Sequence, residues 1–265
     1  MFAQRDAWWW HRSNSALREI IARGYLSKIF SPLIVTEYPK SGGTWLSQML
    51  SEVTGLPYPR GRYPILKDSI LHGCWLQPND KFKTVVLMRD GRDVMVSYYY
   101  HIVYPKKETS EKFNSKICNR IGIEDPREIN KYMCVFIDWA YTEGFPGWSW
   151  SDFVDAWANG ENKAVTSYES LKADCEGELT KLLTDLEFEY DSVKLGFAVD
   201  KYSFERQSGR TPGQEDVNSF VRKGVVGDWK NHFDSDSAKL FNELAGNQLV
   251  VAGYEQDDSW VRTVS

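Results

Sequence analysis

An α/β fold, with a central parallel β-sheet flanked by helices, is what this sequence predicts, on three observations. Short apolar, β-branched runs recur at Leu33-Ile34-Val35-Thr36, at Thr84-Val85-Val86-Leu87-Met88 and at Ala164-Val165-Thr166-Ser167-Tyr168. Each is followed by a stretch whose apolar residues fall at helical spacing. With 265 residues, 42% of them hydrophobic, the chain has enough apolar surface for one large core. Strands alternating with helices build a parallel sheet covered on both faces, and such sheets bind ligands outside the carboxyl ends of their strands.

The elements follow in order. Ser15 to Arg23 carries Leu17, Ile20 and Ile21 at helical spacing, with Ser13 or Asn14 as the cap and Gly24 as the stop. The first strand enters Glu37-Tyr38-Pro39-Lys40-Ser41-Gly42-Gly43-Thr44, a glycine turn, and Trp45 to Val53 then sets Trp45, Leu46, Met49, Leu50 and Val53 on one helical face. The second strand leads into Arg89-Asp90-Gly91-Arg92-Asp93 and a helix over Val94 to His101. After the third, Glu178 to Leu186 reads as a helix. Residues 102–150 read as largely helical with loops, and Ser208 to Asn218, with Gly209, Pro212 and Gly213, as a long mobile surface loop. No repeat, low-complexity tract or Gly/Ser-rich linker divides the chain. A single domain over 1–265 is therefore expected, with a variable segment at 1–12.

Composition narrows the function. A net charge of −5 argues against a nucleic-acid partner, since proteins that neutralise a phosphate backbone carry a basic surplus. No run approaches the roughly 20 apolar residues of a membrane span, and the start lacks the layout of a signal peptide, so a soluble, cytoplasmic protein is expected. Cys74, Cys118, Cys134 and Cys175 are widely spaced with no C-x-x-C pair, which points to four reduced thiols and no metal. The 11 Trp and 14 Tyr suit a core but also stack on planar ligands. Trp8-Trp9-Trp10 is the oddest patch, and packing against the body, capping an acceptor cleft and assembly all stay open for it.

Chemistry concentrates in three segments. In Pro39-Lys40-Ser41-Gly42-Gly43-Thr44-Trp45 the glycines let backbone N–H groups converge on an anion, the helix N-terminus adds about half a positive charge, and Lys40 adds a full one. This is P-loop-like without being a Walker A loop, because the lysine precedes the glycines. Arg89 stands at a strand end, where a guanidinium grips phosphate in two-pronged fashion, and Ser97 lies about two turns into the next helix. Arg222-Lys223-Gly224 opens a further charged segment.

Together these resemble the cytosolic-type sulfotransferase family. Tyr38 to Trp45 resembles its 5'-phosphosulfate loop Y-P-K-S-G-T-T-W, with Gly43 where threonine is usual, a change that removes a hydroxyl and keeps the backbone cradle. Arg89 to Tyr99 resembles the 3'-phosphate element, and Arg222 to Phe233 resembles R-K-G-x-x-G-D-W-K-N-x-F. Ser167-Tyr168-Glu169-Ser170-Leu171-Lys172 is similar to R-Y-E-D-L-K, whose tyrosine lies near the nucleotide, and Tyr202-Ser203-Phe204 to T-S-F, whose phenylalanine flanks the adenine with the loop tryptophan, here Trp45.

The resemblance implies transfer of a sulfuryl group from 3'-phosphoadenosine-5'-phosphosulfate (PAPS) to an acceptor hydroxyl on a small phenol, an alcohol or a carbohydrate, leaving 3'-phosphoadenosine-5'-phosphate (PAP). It places Lys40, Ser41, Gly42, Gly43, Thr44 and Trp45 at the 5'-phosphosulfate. Arg89, Ser97, Arg222, Lys223 and Gly224 fall at the 3'-phosphate, and Tyr168 and Phe204 near the base. The family's general base is a histidine between the first two segments, and His72 is the histidine in that interval, with Ile70 where a lysine is usual; His101 is the alternative. An imidazole is suited to the task because its ordinary pKa lies near neutrality. The family's dimer segment would fall at Lys230 to Lys239, where Asp234-Ser235 and Lys239 depart from it, so monomer and homodimer both stay open. A P-loop-type nucleotide kinase and a catalytically silent nucleotide-binding module are the competing readings.

Overall fold

Every residue of β1 (Leu33–Glu37) and β3 (Thr84–Met88) is buried, as strands covered on both faces require. The computed structural model describes residues 13–60, 62–64, 67–77, 80–105, 111–157 and 163–264. The 1–12 segment with Trp8-Trp9-Trp10 lies outside the described residues. Two compact units divide the chain: one takes the chain up to Glu37, Gly42–Leu87 and Gly160–Tyr202, the other Tyr38–Ser41, Met88–Asn159 and Ser203–Ser265.

The first unit holds the sheet, in the order β2 (Ile70–Gly73), β1, β3, β4 (Lys163–Ser167), with β1 parallel to both β2 and β3. Successive side chains of a strand point to opposite faces. Leu33 and Val35 accordingly pack with Ile70, Val85 and Leu87 against α2 (Gly43–Thr54), α8 (Cys175–Asp185) and α9 (Ser192–Lys201), through Leu46, Met49, Leu50, Leu182 and Leu195. Ile34 and Leu71, of the other parity, pack with Phe82 against Ile21 and Ala22 of α1, which spans residues 13–22. Burial of each such side chain contributes about 1.5–3 kcal/mol. The expected parallel sheet with helices is thus the observed one.

Several boundaries differ from the sequence reading, and one strand is new. Ser13 and Asn14 are already helical, so neither caps α1, and Asn14 instead accepts a hydrogen bond from Arg18 Nε at 3.2 Å. Tyr168 opens α7 (Tyr168–Ala173) rather than closing β4, because the Ser167 hydroxyl caps that helix at Ser170 N, 3.0 Å away. The helix after β3 starts early, at Gly91, for a similar reason: Asp90 accepts from Arg92 N. Strand β2 had no counterpart in the sequence reading.

In the second unit, α3 (Gly91–Ile102) packs against α5 (Ile129–Thr142), and α11 (Ser235–Val251) packs against α5 and α6 (Trp150–Trp157); Tyr98 and Tyr99 lie edge-on to Phe136 at 5.6 and 5.1 Å. Asp93 accepts from the backbone N–H groups of Gly227 and Trp229 at 2.7 and 2.9 Å. That bond pair fixes the 222–233 segment to α3. Arg92, paired with Asp90 and Glu255, lies 4.0 Å over the ring of Trp229.

Candidate active site

Strand alternation builds the first cluster. Glu37 continues the Leu33–Val35 face of β1, and the parallel register that sets Val35 beside His72 turns the histidine to the same side as Ile70. There Glu37 Oε1 lies 2.9 Å from His72 Nε2. On the ring's other side Nδ1 is 2.9 Å from the Tyr58 hydroxyl. Arg18 of α1 braces the arrangement by donating to the carbonyls of His72, Pro59 and Arg62 at 3.1, 3.3 and 2.9 Å. Burial, before any other influence, pushes the Tyr58 phenol up from its ordinary value, so it stays protonated at neutral pH.

The second oxygen of Glu37 accepts the Gly43 N–H at 2.5 Å. A carboxylate therefore satisfies the first open donor of α2, at the end of the helix that favours negative charge. This explains why position 43 is glycine. A Cβ there would stand 2.7 Å from Glu37 Cδ and would collide with His72 Nε2. Gly43→Ala is accordingly expected to cost about 1–3 kcal/mol, the range for an overpacked buried site, and to lower the melting temperature by several degrees. Thermal unfolding measures it, and an unchanged melting temperature would show that Glu37 and His72 give way freely.

The turn that follows β1 is strained. Lys40 has φ of 76°, in the left-handed region that costs a non-glycine residue about 1–2 kcal/mol, and Arg89 Nη1 holds its carbonyl at 2.9 Å. The Lys40 ammonium lies 4.6 Å over the ring of Phe220. Ser41 Oγ is buried and has no hydrogen-bond partner among the described residues, an acceptor and donor that an anion's oxygens would satisfy. Gly42 takes φ of 107°, and a Cβ on it would press on the Tyr168 ring at 3.1 Å. Tyr168 packs edge-on to Trp45 at 5.8 Å, and the indole of Trp45 is fixed by its N–H on the Tyr202 carbonyl at 2.8 Å.

Arg89, Arg222 and Lys223 all lie in the second unit. Arg89 sits with Nη2 3.9 Å from Asp93. Ser97 is the one residue of Gly91 to Tyr100 that is not fully buried. Arg222 and Lys223 each contact Asp228 at 2.5 Å, and Arg222 also pairs with Glu215 and lies 4.2 Å over Tyr100. Burial pushes the Asp228 carboxyl up, but hydrogen bonds from His232, Lys223, Arg222 and Asn231 overcome it and hold the group well below the ordinary carboxylate range. The two cations thus rest on a carboxylate that a phosphate can emulate. Phe204 packs so tightly on Gly224 that a Cβ there would overlap its ring, and Arg210 covers Phe204 at 5.3 Å. Arg210 also closes the 208–218 loop through the carbonyls of Gln214, Val221 and Arg222.

The structure brings His72 to Gly43, Trp45 to Tyr168, Lys40 to Arg89, Arg222 to Lys223 and Phe204 to Gly224. His101 is exposed at the end of α3. Glu37 and Tyr58, which contact His72, and Asp93 and Asp228, which pair with Arg89, Arg222 and Lys223, are partners of the candidate residues that the sequence reading missed. For Glu37 the signal was present, since a carboxylate two positions after Val35 shares its face.

A glycine turn that leads from a parallel strand into a helix N-terminus is the arrangement of a nucleotide-handling α/β protein, and the buried Ser41 hydroxyl is chemically suited to an anion's oxygens. The sulfotransferase domain family model matches residues 75–251, well over half of the chain. The chain belongs to the sulfotransferase domain family, as a PAPS-dependent sulfotransferase whose product nucleotide is PAP. Sulfotransferase 1E1 of Mus musculus is 25% identical over 269 residues, spanning 82% of this chain and 83% of that protein. The 3-beta-hydroxysteroid sulfotransferase of Cavia porcellus is 28% identical, over 91% of this chain and 90% of its own length. Among solved structures, mouse sulfotransferase SULT7A1 complexed with PAP superposes with a TM-score of 0.64 over 94% of each chain, at 19% identity, a likeness of fold.

Proposed function

We propose that this enzyme sulfates a hydroxyl of a small phenol, an alcohol or a carbohydrate, with His72 as general base. The observation that carries the reading is the contact of His72 with Glu37 at 2.9 Å, because the same carboxylate holds the first N–H of the helix that follows the phosphosulfate loop. The base is tied to the loop that binds the donor. His101, the alternative, lies exposed at the end of α3.

In the step this supports, the acceptor oxygen attacks sulfur in line with the bond to the 5'-phosphate. His72 is the base on which the proton released by the acceptor finally rests, directly or through a neighbouring group. Lys40 offsets the charge that gathers on the bridging oxygen as the S–O bond breaks, and fixed donors supply the remaining stabilisation. Arg89, Ser97, Arg222, Lys223 and Gly224 serve the 3'-phosphate, and Trp45, Tyr168 and Phe204 the adenine. The name of the guinea-pig relative, a hydroxysteroid sulfotransferase, supports a small apolar alcohol. Likeness to the cytosolic-type family supports action in the cytoplasm, as a monomer or homodimer. No described helix is long and apolar enough to cross a membrane.

The test offers PAPS with panels of phenols, alcohols and sugars, with and without EDTA. Sulfated product that forms equally with EDTA present is the expected result. Activity lost on chelation and restored by magnesium would favour the kinase reading, and PAPS binding without transfer to any acceptor would favour the silent module.

A further inference from the structure

We infer that Glu37, His72 and Tyr58 form one proton relay, in which Glu37 is a positioning residue and the Tyr58 hydroxyl receives the acceptor's proton. The inference rests on the reading of His72 as general base. An ionised carboxylate only accepts hydrogen bonds, so the Nε2 that faces Glu37 Oε1 at 2.9 Å carries the ring hydrogen. The imidazole lone pair is then on Nδ1. That nitrogen faces Tyr58 Oη at 2.9 Å, and the phenol is the donor. With both ring nitrogens engaged, a proton leaving the acceptor reaches the imidazole by way of Tyr58.

Position and chemistry agree with this route. Thr44 of the phosphosulfate loop hydrogen-bonds the same phenol, which sets it beside the loop. Burial keeps Tyr58 protonated and able to donate. In the step, the acceptor O–H passes its proton to Tyr58 Oη while the Tyr58 proton moves to His72 Nδ1. The acceptor oxygen bonds to sulfur, the S–O bond to the 5'-phosphate breaks, and its electron pair leaves with PAP. An imidazolium remains, facing the Glu37 carboxylate. Among the described residues, the other charged or titratable groups that act on this cluster are Arg18 and Arg60 beside Tyr58, and Cys74 beside Glu37, whose thiol burial and the Glu37 charge raise well above its ordinary value. Cys74 is thus neutral, and Glu37 supplies the negative charge at the ring.

Glu37→Gln, Tyr58→Phe and His72→Ala are compared with the wild type for kcat, acceptor KM, pH–rate profile and the PAP-induced rise in melting temperature. Tyr58→Phe is expected to lower kcat by about 100-fold with KM and the PAP effect near normal. Glu37→Gln is expected to lower kcat by about 10–100-fold and to move the midpoint of the pH–rate profile to lower pH, because the imidazolium loses its counter-charge. Nitrogen NMR of the wild-type protein, with His72 identified as the signal missing from His72→Asn, should show the Nε2–H tautomer. Normal kcat in Tyr58→Phe together with an unshifted profile in Glu37→Gln, while His72→Ala is inactive, overturns the relay and leaves His72 as the base. An active His72→Ala overturns the base assignment itself. A PAP effect lost in Tyr58→Phe or Glu37→Gln marks them as loop supports and overturns the relay, as does an Nδ1–H tautomer in the wild type.

Discussion

Alanine at His72 is expected to lower turnover by about 10²–10⁴-fold, the range for a positioned acid–base group, while PAP stabilises the variant as it does the wild type. The imidazole contacts Glu37 and Tyr58, and it is the proton acceptor in the proposed step, so its loss removes an interaction that strengthens in the transition state. Steady-state kinetics should show the fall in kcat with little change in KM. Lys40→Ala should differ, weakening donor binding along with chemistry. His101→Ala is the control, since that imidazole lies exposed at the end of α3. A large loss in His101→Ala with His72→Ala near normal would move the base.

The second large effect concerns the 3'-phosphate. PAP should raise the melting temperature well above AMP or ATP, and Arg89→Ala should remove most of that preference. A charged hydrogen bond contributes about 1.5–3 kcal/mol, which is roughly a 10–100-fold loss of PAP affinity. Arg89 has a second task, because its guanidinium holds the carbonyl of Lys40 in the left-handed turn. Arg89→Lys therefore should not rescue, as an ammonium lacks the fork that spans carbonyl and phosphate. AMP, without the 3'-phosphate, should bind the variant and the wild type alike. Equal preference for PAP before and after the substitution would place the 3'-phosphate elsewhere.

Much of the candidate donor site was legible in the chain because its pieces are local. Tyr38 to Trp45 is one strand-turn-helix, and its glycines and lysine act through backbone geometry that neighbours in sequence impose. Arg89 with Ser97, and Arg222 with Lys223, are each set by a single helix or segment. Strand β2 was not legible. Ile70-Leu71-His72-Gly73 is four residues long, too short for a period to show, and it is a strand because its backbone pairs with β1. The short α7 was hidden for a related reason, since its start depends on the Ser167 hydroxyl turning back to cap it.

Gly43 shows how the two sources of information differ. In the sequence it is a departure from the family's threonine that removes a hydroxyl. In the folded chain it is the residue that leaves room for Glu37 and His72, with a carboxylate taking the N–H that the cradle would otherwise offer.

The sequence by itself determined the order of strands and helices, the glycine turn at the end of the first strand and the identity of the cations, because apolar periodicity and backbone freedom are properties of neighbours along the chain. Tertiary structure alone decided which carboxylate meets which base or cation. The chain carries 37 acidic residues, and Glu37 is separated from His72 by 35 positions. Only the parallel register of β1 with β2 turns both side chains to one face, and hydrogen bonds between distant strands set that register.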